Sequence, residues 1–414
     1  MRYSILTFGC RVNQADSLGF EEQLRASGAV SSEPERADIV VVNTCSVTAT
    51  ADQGARQTIR RIARDNPGAR IIVTGCYGTR RPAEVAALPG VVSVVPNQAK
   101  PQLLEIAGIR RFDRERAGDG PCGAPIEPGI AGRTAFTLRV QTGCAEPCSY
   151  CIIPATRGAP RSEPLVAVLN EIARVASAGF KEIALTGVHL GSYGRDLTPR
   201  ASLFDLLHEI ERAFPRILFR ISSLEPMDCT PEIVELVAGS TVFAPHFHLP
   251  LQHASDGMLR AMRRPYSLEQ YAAIVDRIRA LMPHASIGSD VIVGFPSETD
   301  QDFERLVAYL ERSPLTHVHV FPYSDRPGTA ASAMAGKVPG AIVRERARGI
   351  RDIAHRLTDG FHRSQIGATR PGLTLEDGSL VVTDNYLKLR IPPGHARNEW
   401  VNVRVEPGLA GTVL

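Results

Sequence analysis

Four short runs rich in Val and Ile, RYSILTF, ADIVVVN, ARIIVTG and VVSVVPN, alternate with helix-like stretches such as DSLGFEEQLRASG and ADQGARQTIRRIARDN at the start of the chain. Strands that are apolar along their whole length must be covered on both faces, and a parallel sheet flanked by helices provides that cover. Residues 1–116 therefore predict a small doubly wound parallel α/β domain. Residues 117–133 carry Gly or Pro at eight of 17 positions, too many for a helix or an interior strand, and read as a linker. Beyond it, across residues 134–340, FTLRVQTGC, KEIALTGVHL, LFRISSLEP, HFHLPLQH, ASIGSDVIVGF and HVHVFPYS read as six more strands separated by amphipathic segments. Ser162 with Pro164, Ser267 with Gln270, and Ser297 or Thr299 are the expected helix starts. Six units fall short of an eightfold barrel, so an open, partial (β/α)6 barrel is expected, with its reactive groups at the carboxyl ends of the strands. Residues 341–364 form an Arg-rich helix with six Arg against three acids, whose plainest reading is a solvated face. Residues 365–414 turn to short strands, LTLEDGSLVV, NYLKLRI and EWVNVRVE, joined by Gly and Pro turns, and read as a small all-β, OB-like barrel.

Composition narrows the partners. A net charge of +3 over 414 residues is too small to attract nucleic acid in bulk, so any such contact must come from a local surface. The last module carries five basic and five acidic residues and adds nothing to that balance. No window holds the ~18 apolar residues of a membrane span, and the opening MRYSILTFGC lacks a secretory h-region, so a cytoplasmic protein without a membrane partner is expected.

The eight cysteines are more telling, because in a reducing compartment clustered thiols point to metal or redox chemistry. Cys144, Cys148 and Cys151 form CxxxCxxC directly after a predicted strand. Three thiolates within eight residues can converge on one inorganic centre while the loop wraps around it. A structural zinc site is the competing reading, but it usually takes four protein ligands, and Ile152, Ile153 and Pro154 follow instead of a fourth. An iron–sulfur cube held by three thiolates keeps one iron open to a small molecule. Cys10, Cys45 and Cys76 are far apart in sequence, yet each ends a predicted parallel strand, and the carboxyl ends of such strands line one crevice. The alternative is that each is a small buried hydrophobe. For Cys122 and Cys229, which have no evident partners, that plainer reading is preferred. The alternating His246, His248 and His253, and His317 with His319, read as barrel-lining or packing residues, since no carboxylate accompanies them in sequence. No GxxxxGKS, GxSxG or HExxH motif is present.

The stretch GCAEPCSYCIIPATRG resembles the radical S-adenosylmethionine signature, and the N-terminal trio resembles that of the methylthiotransferases. The resemblance covers nearly the whole chain and implies a cluster domain, a radical barrel and a C-terminal RNA-binding barrel of TRAM type. GCRVNQADS, VNTCSVTATAD, VTGCY and EVAALPGV are most similar to the branch acting on N6-threonylcarbamoyladenosine, the tRNA nucleoside immediately 3′ of the anticodon. Carried over by resemblance, Cys144, Cys148 and Cys151 hold the 4Fe-4S cluster that binds and cleaves S-adenosylmethionine. Cys10, Cys45 and Cys76 hold a second, auxiliary 4Fe-4S cluster that carries the sulfur. Segments matching the family's cofactor pocket nominate Gly187, Arg220, Ser223, Gln252 and Asp290 as S-adenosylmethionine contacts. The implied reaction places a methylthio group at C2 of the adenine by radical chemistry, with the anticodon loop of tRNA, a low-potential electron donor and a sulfur source as partners. Methylthiolation of isopentenyladenosine in tRNA or of a ribosomal-protein aspartate, and a non-catalytic iron–sulfur electron carrier, are the alternatives.

Overall fold

The structure is a computed structural model that describes residues 1–109, 127–129 and 133–414. Cys122 and all of the expected linker except 127–129 and 133 lie outside the described residues. At the N-terminus, β1 (Arg2–Thr7), β2 (Val30–Ser31), β3 (Ile39–Thr44), β4 (Arg70–Thr74) and β5 (Val91–Val95) form one all-parallel sheet in the order β2-β1-β3-β4-β5. Both faces are buried, as the unbroken apolar runs require. Ile39 and Val41 meet Phe20 and Leu24 of α1 (Arg11–Ala26), while Val40 and Val42 meet Ala55, Ile59 and Ile62 of α2 (Ala49–Asp65). The crossover that reverses strand order lies between β1 and β3, and that switch point is where open α/β sheets bind ligands. A short helix, α3 (Gly75–Arg80), starts directly off β4.

The central region holds six parallel strands. They are β6 (Phe136–Arg139), then, after the short antiparallel pair β7 (Gln141–Thr142) and β8 (Arg161–Ser162), β9 (Glu182–Thr186), β10 (Leu218–Ile221), β11 (His246–His248), β12 (Ser286–Val293) and β13 (His317–Pro322). They form two three-stranded sheets, β10-β9-β6 and β11-β12-β13, joined by a parallel bridge between Phe219 and Phe243. Among the described residues no pairing joins β6 to β13, so the barrel is open on one side, as expected. The β7–β8 pair pinches off the loop that carries Cys144, Cys148, Cys151 and the helix α4 (Ile153–Arg157). Ser267–Gln270 and Thr299–Asp302 are capping boxes, and Ser202–Asp205 is a further one. Ser162 is not a cap: it sits in β8 and its hydroxyl donates to Asp196 at 2.6 Å, while Pro164 precedes the helix Leu165–Ser177.

The long helix α5 (Gly340–Gln365) buries Ala347, Ile350 and Ile353 in the barrel core and leads into β14 (Thr369–Leu375), β15 (Leu380–Thr383), β16 (Lys388–Arg390), β17 (Trp400–Glu406) and β18 (Ala410–Val413). These five strands close a barrel in the order β14-β15-β16-β18-β17 around Val381, Leu389 and Val403. LTLEDGSLVV, which reads as one strand, divides into two, because the Asp377 carboxylate accepts from the backbone N–H of Ser379 and turns the chain into a hairpin.

Candidate active site between two cysteine sets

Cys10 caps α1, Cys45 follows β3, and Cys76 lies in the first turn of α3. All three thus stand at the carboxyl edge of the N-terminal sheet, around its switch point. Two glycines permit that convergence. Gly9 has φ +88°, and a Cβ there would lie 2.6 Å from the Cys45 sulfur. Gly75 has φ +92°, and a Cβ there would lie 2.2 Å from the Thr44 carbonyl oxygen. Buried amides tie the loops together: Asn13 Nδ2 donates to the carbonyls of Phe8 (2.8 Å) and Thr44 (2.9 Å), and Asn43 Nδ2 donates to the Asn13 carbonyl (2.8 Å).

Burial pushes the Cys45 thiol up to about 11, and Cys10 and Cys76 push in the same direction because each would place a like charge beside it. Burial likewise takes Cys151 up to about 12, with Cys148 and Cys144 adding to the shift. Cys45 and Cys151 therefore favour the protonated form until a cation takes the place of the proton. Donors are aimed at the sulfurs. The backbone N–H of Glu146 points at Cys144 (3.4 Å), that of Ile153 at Cys151 (3.5 Å), and the Arg264 guanidinium at Cys148 (3.1 Å). Three soft thiols per site with N–H groups turned toward sulfur fit an iron–sulfur cluster in each.

The second cysteine loop packs against the N-terminal crevice. Arg157, at the end of α4 in the second cysteine loop, is buried in the N-terminal crevice. It donates to Asn13 Oδ1 (2.5 Å) and Asp16 (3.2 Å), and its charge is favoured by Cys76 and Cys10. Asn97 reaches the Cys76 sulfur at 3.7 Å and the Thr156 carbonyl at 2.9 Å. Asp16 also takes Lys100 (2.5 Å) and Arg139, so one buried carboxylate joins three cations from both domains.

Gly187, Ser223 and Gln252 stand at the carboxyl ends of β9, β10 and β11, on the rim that carries the second cysteine loop. Gln252 has φ +66° and continues the strand ladder, its N–H donating to the Asp290 carbonyl at 2.8 Å. Arg220 and Asp290 are engaged elsewhere. The Arg220 guanidinium pairs with Glu182 (2.8 Å) and donates to the carbonyls of Asp384 (2.7 Å) and Thr383 (2.9 Å) in the terminal barrel; Asp290 sits 3.0 Å from His248. Sequence reasoning missed His189, Asp228, Arg264 and Glu225. His189 lies 3.9 Å from the Cys144 sulfur and 2.6 Å from Asp228. Burial opposes its charge, but the bonds to Asp228 and Cys144 win and hold it up at about 9. Arg264 joins Cys148 to Glu225 across 116 and 39 residues. TGVHLGSYG and RISSLEP contain His189 and Glu225, but no local pattern marks which polar residue in them turns toward sulfur.

Comparison with known proteins agrees with this geometry. Residues 2–96 match the family described as uncharacterized protein family UPF0004, and residues 138–310 match the radical SAM superfamily. The threonylcarbamoyladenosine tRNA methylthiotransferase MtaB of Aquifex aeolicus (strain VF5) is 35% identical over 411 residues, covering 94% of this chain and 96% of that protein. The chain belongs to the radical S-adenosylmethionine methylthiotransferases. MtaB of Bacillus subtilis (strain 168) is 34% identical over 400 residues, 92% of this methylthiotransferase and 88% of the relative. Among solved structures, the radical S-adenosylmethionine methyltransferase TsrM from Kitasatospora setae shares the fold of this methylthiotransferase, with TM-score 0.56 and 16% identity over 80% of this chain and 73% of that one.

Proposed function

We propose that this enzyme is a tRNA methylthiotransferase that inserts a methylthio group at C2 of N6-threonylcarbamoyladenosine beside the anticodon. The observation that carries the reading is the pair of cysteine sets in two domains joined through buried Arg157, in a chain similar over nearly its full length to relatives named for that reaction. When bound, two iron–sulfur clusters and S-adenosylmethionine supply the sulfur, the methyl group and the one-electron chemistry that replacement of an aromatic C–H demands. Cys144, Cys148 and Cys151 hold the cluster that serves S-adenosylmethionine, and Cys10, Cys45 and Cys76 hold the auxiliary one. Gly187, Ser223 and Gln252 line the cofactor rim. Arg220 and Asp290 fall outside this proposal because each already has a partner.

The protein's own part is to bind, orient and shield. Arg264 and His189 place positive charge beside Cys148 and Cys144 and steady the thiolate charge there. Arg157 does the same toward Cys76 and Cys10 while tying the two domains together. A nucleoside in an anticodon loop is unpaired and enters the junction without melting a duplex. Arg344, Arg348 and Arg351, exposed along one side of α5, offer a grip for its phosphates, which raises the helix above a merely solvated face. A low-potential electron donor and a sulfur source complete the cycle. Among the described residues no helix is long and apolar enough to cross a membrane, and the proposed site of action is the cytoplasm, where tRNA is modified.

Mass analysis of tRNA nucleosides from cells lacking the protein tests the reading. Loss of the 2-methylthio form with accumulation of plain threonylcarbamoyladenosine is expected. Loss of a methylthiolated isopentenyladenosine, or an unchanged tRNA profile with loss of a ribosomal-protein modification, rejects it.

A further inference from the structure

Three imidazoles that the cluster chemistry does not use meet inside the barrel. Phe247, Ile287 and Val318 belong to the helix-facing core, so strand alternation turns His248, Gly288, Asp290, His317 and His319 to the opposite, inner face. The ring centroids of His248, His317 and His319 stand 6.1, 5.6 and 5.8 Å apart, close to an equilateral triangle. One ligand atom from each lies within 4.8 Å of the other two. Three details suit this triangle to a ligand rather than to packing alone. A Cβ at residue 288 would lie 2.0 Å from His317 Nε2, so glycine there leaves the space the ring occupies. His317 Nδ1 is 3.0 Å from Thr316 Oγ1, a partner that orients the ring and leaves Nε2 available. His248 Nε2 is 3.0 Å from Asp290 Oδ1, the carboxylate–imidazole pairing that supports metal-bound histidines. In sequence these histidines lack a carboxylate neighbour; the fold supplies one from β12.

We infer that His248, His317 and His319, supported by Asp290, form a binding site for one divalent first-row transition ion of the zinc type, separate from both cysteine sets. Zinc–nitrogen bonds of about 2.0–2.1 Å draw tetrahedral ligand nitrogens to roughly 3.4 Å, so side-chain rotations on the order of an ångström close the triangle on the ion. Three imidazoles leave the fourth position to an oxygen-bearing molecule in the barrel lumen, and nitrogen and oxygen donors distinguish the site chemically from the thiol sets.

The test uses the holoenzyme with both cysteine sets loaded with iron and sulfide. It is dialysed against micromolar zinc sulfate and then against metal-free buffer, and metal content and the zinc K-edge spectrum are recorded. The expected result is one zinc per chain with only nitrogen and oxygen neighbours at about 2.0–2.1 Å. That zinc disappears in both His317→Ala and His319→Ala while iron content is unchanged. Zinc that washes out of the wild type, sulfur neighbours near ~2.3 Å, or full retention of zinc in either variant overturns the site. The wild-type spectrum decides the ligand set even where a variant folds poorly.

Discussion

Cys45 and Cys148 show how residues of one kind take separate parts. Cys45 answers electrostatically to Cys10 and Cys76, whereas Cys148 answers to Arg264 and Cys144. Cys148→Ala is expected to abolish deoxyadenosine release from S-adenosylmethionine. Cys45→Ala leaves that release measurable and stops methylthio formation; equal loss of both activities in two folded variants contradicts the division. Which polar residues serve these thiols was the part of the site least legible in the sequence. CxxxCxxC and three strand-ending cysteines announce themselves by spacing and by position. Arg264, His189 and Arg157 gain meaning only from partners 116, 45 and 144 residues away, and Arg220, nominated from a matching segment, turns to the terminal barrel instead.

At the scale of elements, the turn that leaves each strand matters more than the strand itself. Gly75→Ala drives a Cβ against the backbone of Thr44 in a left-handed conformation, and Gly9→Ala strikes Cys45. Either variant is expected to lose the N-terminal cluster alone, so iron after anaerobic reconstitution falls from about eight to about four per chain. Removing a helix cap, as in Ser202→Ala, costs about 1 kcal/mol as read from urea midpoints and leaves iron content unchanged. Periodicity made the parallel strands readable, because a strand buried on both sides has no polar alternation to confuse the pattern. The two-residue edge strand β2 and the β14–β15 hairpin were not readable. The first is too short to carry a pattern, and in the second the turn interrupts a run whose flanks are both strand-like.

Across the whole molecule, charge joins the domains. Burial opposes ionisation of Asp16, but Lys100, Arg157 and Arg139 outweigh it and hold the carboxyl down at about 2. Because the folded value lies below the ordinary one, the stabilisation is complete above about pH 4 and is lost as pH falls toward 2, a difference on the order of 2 kcal/mol. Asp16→Asn is expected to flatten the dependence of the urea midpoint on pH in that window; an unaltered slope removes Asp16 from the account. A triple Arg344, Arg348 and Arg351→Gln variant is expected to weaken tRNA binding and to reduce the log–log salt slope by about 2, checked by filter binding at several salt concentrations.

Arg220 receives two of its carbonyl partners from residues 163 and 164 positions further along the chain. During synthesis, then, the wall of the barrel behind β10 is finished only after Thr383 and Asp384 have left the ribosome. A chain cut short before Thr383 would keep all six cysteines of the two sets and leave the Arg220 guanidinium with Glu182 alone, so the terminal module completes the wall of the domain before it.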